Sequence, residues 1–245
     1  MVGGAGAQAG VDDLPVGPDK TVMVRAMFDA IAPRYDLVNR VMTFGLDIPW
    51  RRRAVRALGL PARSRVLDVA CGTGDFLRIL DAAGLQAVGV DLSLGMLQAA
   101  PRGRAVAQAD ALALPMRDGS FDGATCGFAL RNVSDLGAML AEVARVVRPG
   151  GRIALLEVDE PSGPIMGLGH RIWFRRVVPR IGALLSDAAA YRYLPRSVAY
   201  LPDAPQLRAM LRQAGFSAVG RRSLGGGVAQ LLTATRAGVE SPRPR

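Results

Sequence analysis

Residues 66 to 76 read VLDVACGTGDF: an apolar run carrying one acidic residue, Asp68, that ends in Gly72, Thr73 and Gly74. Glycines at such a point let the backbone approach a ligand and adopt dihedrals closed to other residues. A helix starting just after them offers unpaired N–H groups to an anionic group. Two more carboxylates follow. Asp91 ends the apolar stretch QAVGVD, and Asp110 sits in QADALALP. A carboxylate at the end of a second strand can accept from both hydroxyls of a ribose. Asp68 can accept from an ammonium group. Asp110 is expected within reach of an adenine amino group.

A dinucleotide fingerprint requires a third glycine, and Leu77 stands there instead. A carboxylate inside the first strand also suits an ammonium better than a pyrophosphate. The set therefore points to an amino-acid-bearing nucleoside, S-adenosylmethionine, rather than NAD. Singly, each feature is an ordinary tight turn or helix cap. Three acidic strand ends around one glycine turn, in this order, are far more specific.

The elements that must position these residues follow from the apolar periodicity. Residues 65–71, 86–92, 104–110, 121–130 and 152–158 read as strands, separated by helical stretches at 74–84, 93–100 and 136–147. Strand and helix alternating in this way predicts a parallel sheet covered on both faces. A helix at 204–216 and a hairpin of 217–224 with 228–236 around a glycine run complete the domain. Ahead of the sheet, residues 20–60 read as helices, with Val24, Met27, Phe28 and Ile31 on one face and a break at Pro33. The expected organisation is a disordered lead-in (1–19), one α/β domain (20–236) with a helical cap (20–60) and a helical insertion (160–202), and a disordered tail (237–245).

The chain has 245 residues, of which 50% are hydrophobic, so one large core is affordable. It shows no apolar run of about 18 residues, the length of a membrane span, and no signal-peptide pattern at its start, so a cytoplasmic protein is expected. Cys71 and Cys126 lack metal-ligand spacing and are expected as buried thiols. The net charge of +10 suits either an anionic surface or a merely soluble arginine-rich exterior. Aromatic content of 5% is too low for a single-strand stacking platform. Together with the intact glycine turn and Asp91, this argues against a nucleic-acid partner. No metal is expected.

Beyond the glycine turn, MFDAIAPRYDLVNRVMTFGLDIPWRR, GFALRNVSD and VVPRIGALLSDAAAYRYLPRSVAYLPD resemble signatures of the ubiquinone/menaquinone biosynthesis C-methyltransferases. The resemblance covers roughly residues 21 to 235. It implies a class I S-adenosylmethionine-dependent methyltransferase (Rossmann-like) fold with a mixed seven-stranded sheet. It also implies C-methylation of a prenylated quinol, either demethylmenaquinol or a polyprenyl benzoquinol. A paralogue acting on a soluble aromatic or polyketide is the second reading. Peripheral contact with the inner face of the cell membrane and a homodimer are compatible with the first.

Carried over by position, the family's cofactor contacts fall on Thr73, Asp91, Asp110 and Ala111, beside Asp68, Gly72 and Gly74. Gly127 and Ala129 stand where the family has serine and glycine, Leu232 where it has histidine, and EVDEP follows the fifth strand in place of EFSKP.

Methylating a ring carbon requires a neighbouring hydroxyl to lose its proton, through a base or a fixed positive charge. Arg131, beside Asn132 at the end of the fourth strand, is the expected oxyanion donor, with an ion pair to Asp135 as the structural alternative. Tyr35, from helices that lie over the site in this family, is expected either to donate to the same oxygen or to cap the pocket as a packed tyrosine. His170, in the insertion, is expected at the surface. The arginines of Arg171 to Arg180, set among apolar residues, are expected either at a membrane interface or in a helix over the pocket.

Overall fold

The computed structural model describes residues 15–159, 161, 193 and 196–238. Most of the expected insertion lies outside them, including His170 and the Arg171 to Arg180 stretch, as do most of the lead-in and tail.

The core is one seven-stranded sheet in the order β3-β2-β1-β4-β5-β7-β6. The strands are β1 (Arg65–Val69), β2 (Gln86–Asp91), β3 (Val106–Gln108), β4 (Phe121–Gly127), β5 (Val147–Val158), β6 (Phe216–Leu224) and β7 (Ala229–Arg236). The first five are parallel, whereas β7 runs antiparallel between β5 and β6. The strand order reverses beside β1, which pairs with β2 on one side and β4 on the other. In such sheets the crevice opens at the carboxyl ends of the strands flanking that reversal.

Side chains alternate across β1. Leu67 and Val69 join the core under α6 (Leu136–Val146) and α7 (Ala204–Gln213), with Met139, Leu140 and Leu207. Val66 joins the opposite core under α3 (Asp47–Leu58) and α4 (Asp75–Ala82), with Ala54, Leu58, Phe76 and Leu80. This burial on both faces explains why the strands read as apolar runs. Local signals set the helix ends. Asp135 and Ser93 accept from backbone N–H groups at the starts of α6 and α5 (Leu94–Ala99), and Asp203 forms a capping box with Gln206.

The cap comprises α1 (Gly17–Ile31), a 3₁₀ turn at Ala32–Arg34 containing Pro33, α2 (Tyr35–Met42) and α3. Helix α1 starts ahead of the boundary expected at residue 20. Pro18 occupies its first turn, and Lys20 is buried with its Nζ donating to the Val133 carbonyl (2.8 Å) and lying 3.7 Å from the Tyr200 ring centre. Ile31, Ala32 and Val38 pack with Met96 of α5, so the cap has a small core of its own.

Candidate cofactor and substrate cleft

A cleft opens at the carboxyl ends of β1, β2 and β4 and holds about 830 Å³ of empty space, its mouth included. One wall comes from the carboxyl ends of the strands: Ala70 and Gly72 after β1, Asp91 to Ser93 from the last residue of β2, Asp110 to Leu112 after β3, and Gly127 to Ala129 from the last residue of β4. The other is the cap, through Thr21, Val24, Arg25 and Phe28 of α1 and through Tyr35. The apolar stripe of α1 therefore faces the cleft as well as the core.

The glycine turn does what its composition implies. Gly72 and Gly74 have φ of +54° and +84°. Ala70 and Phe128, two of the non-glycine residues with positive φ, also line the cleft. Strain of this kind persists where the surroundings hold it, and it gathers at functional sites.

Asp91 lines the cleft. Its Oδ2 accepts from Gly72 N and its Oδ1 from Ser93 N, each at 2.8 Å. Burial pushes its carboxyl up, and these two N–H groups pull it back. Asp110 and Ala111 line the same wall, with Asp110 Oδ1 accepting from Leu112 N (2.9 Å).

Asp68 does not line the cleft; it sits behind the turn, fully buried. Its Oδ1 accepts from the Thr125 hydroxyl (2.7 Å), while its Oδ2 is enclosed and has no hydrogen-bond partner among the described residues. Burial pushes its carboxyl up to about 7. A buried carboxylate oxygen without a donor lacks a cation or N–H group. An ammonium-bearing cofactor fits that deficit, and backbone-lined Gly72 and Asp91 fit its nucleoside.

Thr73 and Gly74, expected as cofactor contacts, do not line the cleft. The Thr73 hydroxyl instead donates to Asp36 of α2 (2.5 Å), tying turn to cap. The next residue, Asp75, opens α4 and anchors an ion network. Arg40 Nη2 donates to both Asp75 oxygens at 2.8 Å, Arg40 and Arg51 both reach Asp47, and Arg78 pairs with Asp75. Asp47 and Arg51 are buried, and removing one member of such a network costs about 3–5 kcal/mol. Sequence reasoning missed this clamp. Its signal was the acidic residues spaced among the arginines of residues 36–51.

Of the expected catalytic residues, Tyr35 and Asn132 line the cleft and Arg131 does not. Arg131 is buried and held from several sides: Nη1 contacts Glu157 and the Phe128 carbonyl (2.9 Å), and Nε donates to Ser197 Oγ (3.0 Å). Its ion-pair partner is Glu157 rather than Asp135, because Asp135 is spent capping α6. Asn132 Oδ1 accepts from the Tyr193 hydroxyl at 3.4 Å. The Tyr35 ring stands edge-on to Phe28. Burial pushes Tyr35 up, and the charges of Arg51 and then Arg131 pull it down. The carboxylates of Asp75 and Asp36 act on Tyr35 in the opposite sense to the two arginines.

The departures from the family pattern have local reasons. Any Cβ at Gly127 would lie 2.7 Å from Phe76 Cε2, so the Phe76 ring fills the place of the expected serine side chain. Leu232 is fully buried opposite Leu155, in an apolar setting that leaves a histidine no role in the cleft. In EVDEP, Glu157 holds Arg131 and Asp159 pairs with Arg221. Cys71 and Cys126 are buried, as expected, and burial pushes both thiols up. The described residues contain no cluster able to hold a metal ion and no helix long and apolar enough to cross a membrane.

Known proteins share this architecture. A possible histamine N-methyltransferase from Thermotoga maritima superposes with a TM-score of 0.63 at 21% identity, covering 87% of this chain and 99% of its own. The phosphoethanolamine N-methyltransferase 2 of Haemonchus contortus, in complex with S-adenosyl-L-methionine, gives 0.59 at 15% identity, covering 78% of this chain and 53% of its own. These likenesses carry the fold. Sequence relatives carry more. A ubiquinone/menaquinone biosynthesis C-methyltransferase UbiE from Syntrophotalea carbinolica is 44% identical over 221 residues, 86% of this chain and 93% of its own. A demethylmenaquinone methyltransferase from Thermus thermophilus is 47% identical over 201 residues, 78% and 91% of the two chains. The pattern of the ubiE/COQ5 methyltransferase family matches residues 17–236, and the chain belongs to that family.

Proposed function

We propose that this protein transfers a methyl group from S-adenosylmethionine to a ring carbon of a prenylated quinol, as a step of menaquinone or ubiquinone biosynthesis. The observation that carries the reading is the division of one cleft. A wall of backbone and carboxylates suits the nucleoside, and an apolar wall with Tyr35 and Asn132 suits an aromatic acceptor. The names of the sequence relatives support the same reading.

The cofactor, when bound, supplies an electrophilic methyl group on a sulfonium. Asp91 would take the ribose hydroxyls and Asp110 with Ala111 the base, while Asp68, from behind the turn, would supply negative charge toward the ammonium. Thr73 and Gly74 act behind them, shaping the turn. Helix α1 lines the cleft and would exclude water from ligands bound in it. Tyr35 and Asn132 orient the ring hydroxyl, and the positive potential of Arg51 and Arg131 favours its ionised form. Arg131 is thus a positioning residue that acts by charge and by holding the Leu130–Asn132 turn. Positioning alone is worth much in such a displacement, since the reaction needs nucleophile and methyl carbon aligned.

A prenyl tail is soluble in lipid, so the protein meets its acceptor at a membrane surface. The test is to incubate purified protein with S-adenosylmethionine carrying a labelled methyl group and to analyse the products by mass spectrometry. Label on demethylmenaquinol or a polyprenyl benzoquinol is expected. Label only on small soluble phenols would overturn the assignment.

A further inference from the structure

We propose that Tyr193 is a positioning residue for methyl transfer: it holds the Asn132 side-chain amide so that an N–H, and not the carbonyl, is offered to the ring oxygen of the acceptor. This role rests on the quinol reading above and concerns the acceptor end of that site.

Three consecutive residues, Arg131, Asn132 and Val133, follow the cleft wall after β4, and the segment that returns from the insertion holds each of them. Ser197 Oγ accepts from Arg131 Nε (3.0 Å). The Tyr193 hydroxyl donates to Asn132 Oδ1 (3.4 Å). The ring of Tyr200 lies under Lys20, whose Nζ donates to the Val133 carbonyl (2.8 Å). Tyr193 and Ser197 are buried, so water does not compete for these contacts. Asn132 and Val133 line the cleft and Arg131 does not. Asn132 is thus the one member of the three with a polar side chain in the cleft wall, and Tyr193 is the residue of the return segment that touches that side chain.

A side-chain amide has an acceptor end, Oδ1, and a donor end, Nδ2, and a half-turn exchanges them. Two contacts select the orientation of Asn132. Burial pushes the Tyr193 hydroxyl up, so it keeps its proton and donates to Oδ1. The Phe128 carbonyl, which can only accept, stands 3.4 Å from Nδ2. A half-turn would set Oδ1 against that carbonyl oxygen. Phe128 already accepts from Arg131 Nη1 at 2.9 Å, so it is a weak hold on Asn132 without Tyr193. Both contacts of the amide are long, as is common at a catalytic site without its substrate. Nδ2 carries two hydrogens, and Phe128 takes one. The other is left for a ligand in the cleft. A donor at that place strengthens its bond as the ring hydroxyl ionises, whereas a carbonyl oxygen there would oppose the ionisation.

The experiment is a double-variant cycle with Tyr193→Phe and Asn132→Ala, with activity counted per folded molecule. Acceptor kcat and KM are followed across pH, beside the affinity for S-adenosylhomocysteine and the melting temperature. Tyr193→Phe keeps the ring and should lower kcat about tenfold, less than the loss of an oxyanion donor outright. The acid limb of its pH profile should move to higher pH, with acceptor KM and cofactor affinity little changed. The double variant should be no slower than Asn132→Ala alone, because Tyr193 acts through Asn132. Asn132→Asp, similar in shape but without the amide hydrogens, should be as slow as Asn132→Ala. Losses that multiply in the double variant would overturn the role. So would an Asn132→Asp variant of normal speed, or a Tyr193→Phe variant that loses melting temperature and keeps its kcat and pH profile. Wild type that methylates only a soluble phenol would remove the quinol reading, and the same cycle run on that phenol would still decide the role of Tyr193.

Discussion

Arg131 and Glu157 form a buried ion pair across the ends of β4 and β5, directly behind the cleft wall. The pair holds the Leu130–Asn132 turn, and with it Asn132, which does reach the cleft. Truncating one partner of such a pair strands the other, so Glu157→Gln and Arg131→Ala should each destabilise the fold by about 3–5 kcal/mol.

The role of Arg131 in turnover is separable from that stability loss. Activity per folded molecule should fall in Arg131→Ala, and the acid limb of its pH profile should move to higher pH, because the acceptor hydroxyl ionises less readily without the charge. Arg131→Lys should keep most of the pH profile while still losing stability. An unchanged profile in Arg131→Ala would leave the residue a purely structural role.

Asp68 predicts a pH dependence of cofactor binding. Its folded-state carboxyl stands at about 7 because burial disfavours the charge. Raised above its unfolded value of about 4, the group contributes stability that is fully present below pH 4 and lost as pH rises toward 7. Linkage puts that loss near 4 kcal/mol. A bound ammonium requires the ionised form, so affinity for S-adenosylhomocysteine should strengthen as pH rises from 5 to 7, by up to about tenfold per pH unit. Asp68→Asn should abolish the slope and weaken binding. Calorimetry across that range in both proteins decides the matter, and parallel slopes would remove Asp68 from the site.

Asp29 links the cap to Asp91, the carboxylate proposed to hold the ribose. Its Oδ1 accepts from Ser93 Oγ (2.6 Å) and Gly95 N (2.9 Å), and Ser93 N in turn donates to Asp91. Asp29→Ala should weaken cofactor binding by about 1–2 kcal/mol through loss of two hydrogen bonds. It should also raise hydrogen exchange in α1. Gly95→Ala should act in the same direction, because a Cβ there would stand 3.0 Å from the Asp29 backbone. Unaltered exchange in α1 would show that the cap is held by other contacts.

Restoring the family's serine at Gly127 should be harmful here. The added Cβ would meet the Phe76 ring at 2.7 Å, and overpacking of this kind costs about 1–3 kcal/mol. Gly127→Ser should therefore lower the melting temperature, and Phe76→Leu in the same chain should recover part of the loss. Additive losses in the double variant would contradict this account.

The sequence by itself determined the sheet, the glycine turn and the chemistry of the cofactor wall. Strand and helix periodicities are local, and Asp91, Asp110 and Gly72 lie at element ends, where the fold rule for ligands operates. What only the tertiary structure decided were the pairings. Arg131 reads as an oxyanion donor, with the nearby Asp135 as its alternative partner, and the three-dimensional arrangement of β4 and β5 gives it to Glu157, 26 residues away. Thr73 looks like a cofactor contact and is taken by Asp36, 37 residues earlier. Asp68 keeps one carboxylate oxygen without a donor because the register of β1 against β4 brings only Thr125 to it. Local sequence fixes which groups a segment presents. Which of them meet depends on contacts between segments far apart in the chain, and those exist only once the sheet and cap have closed on each other.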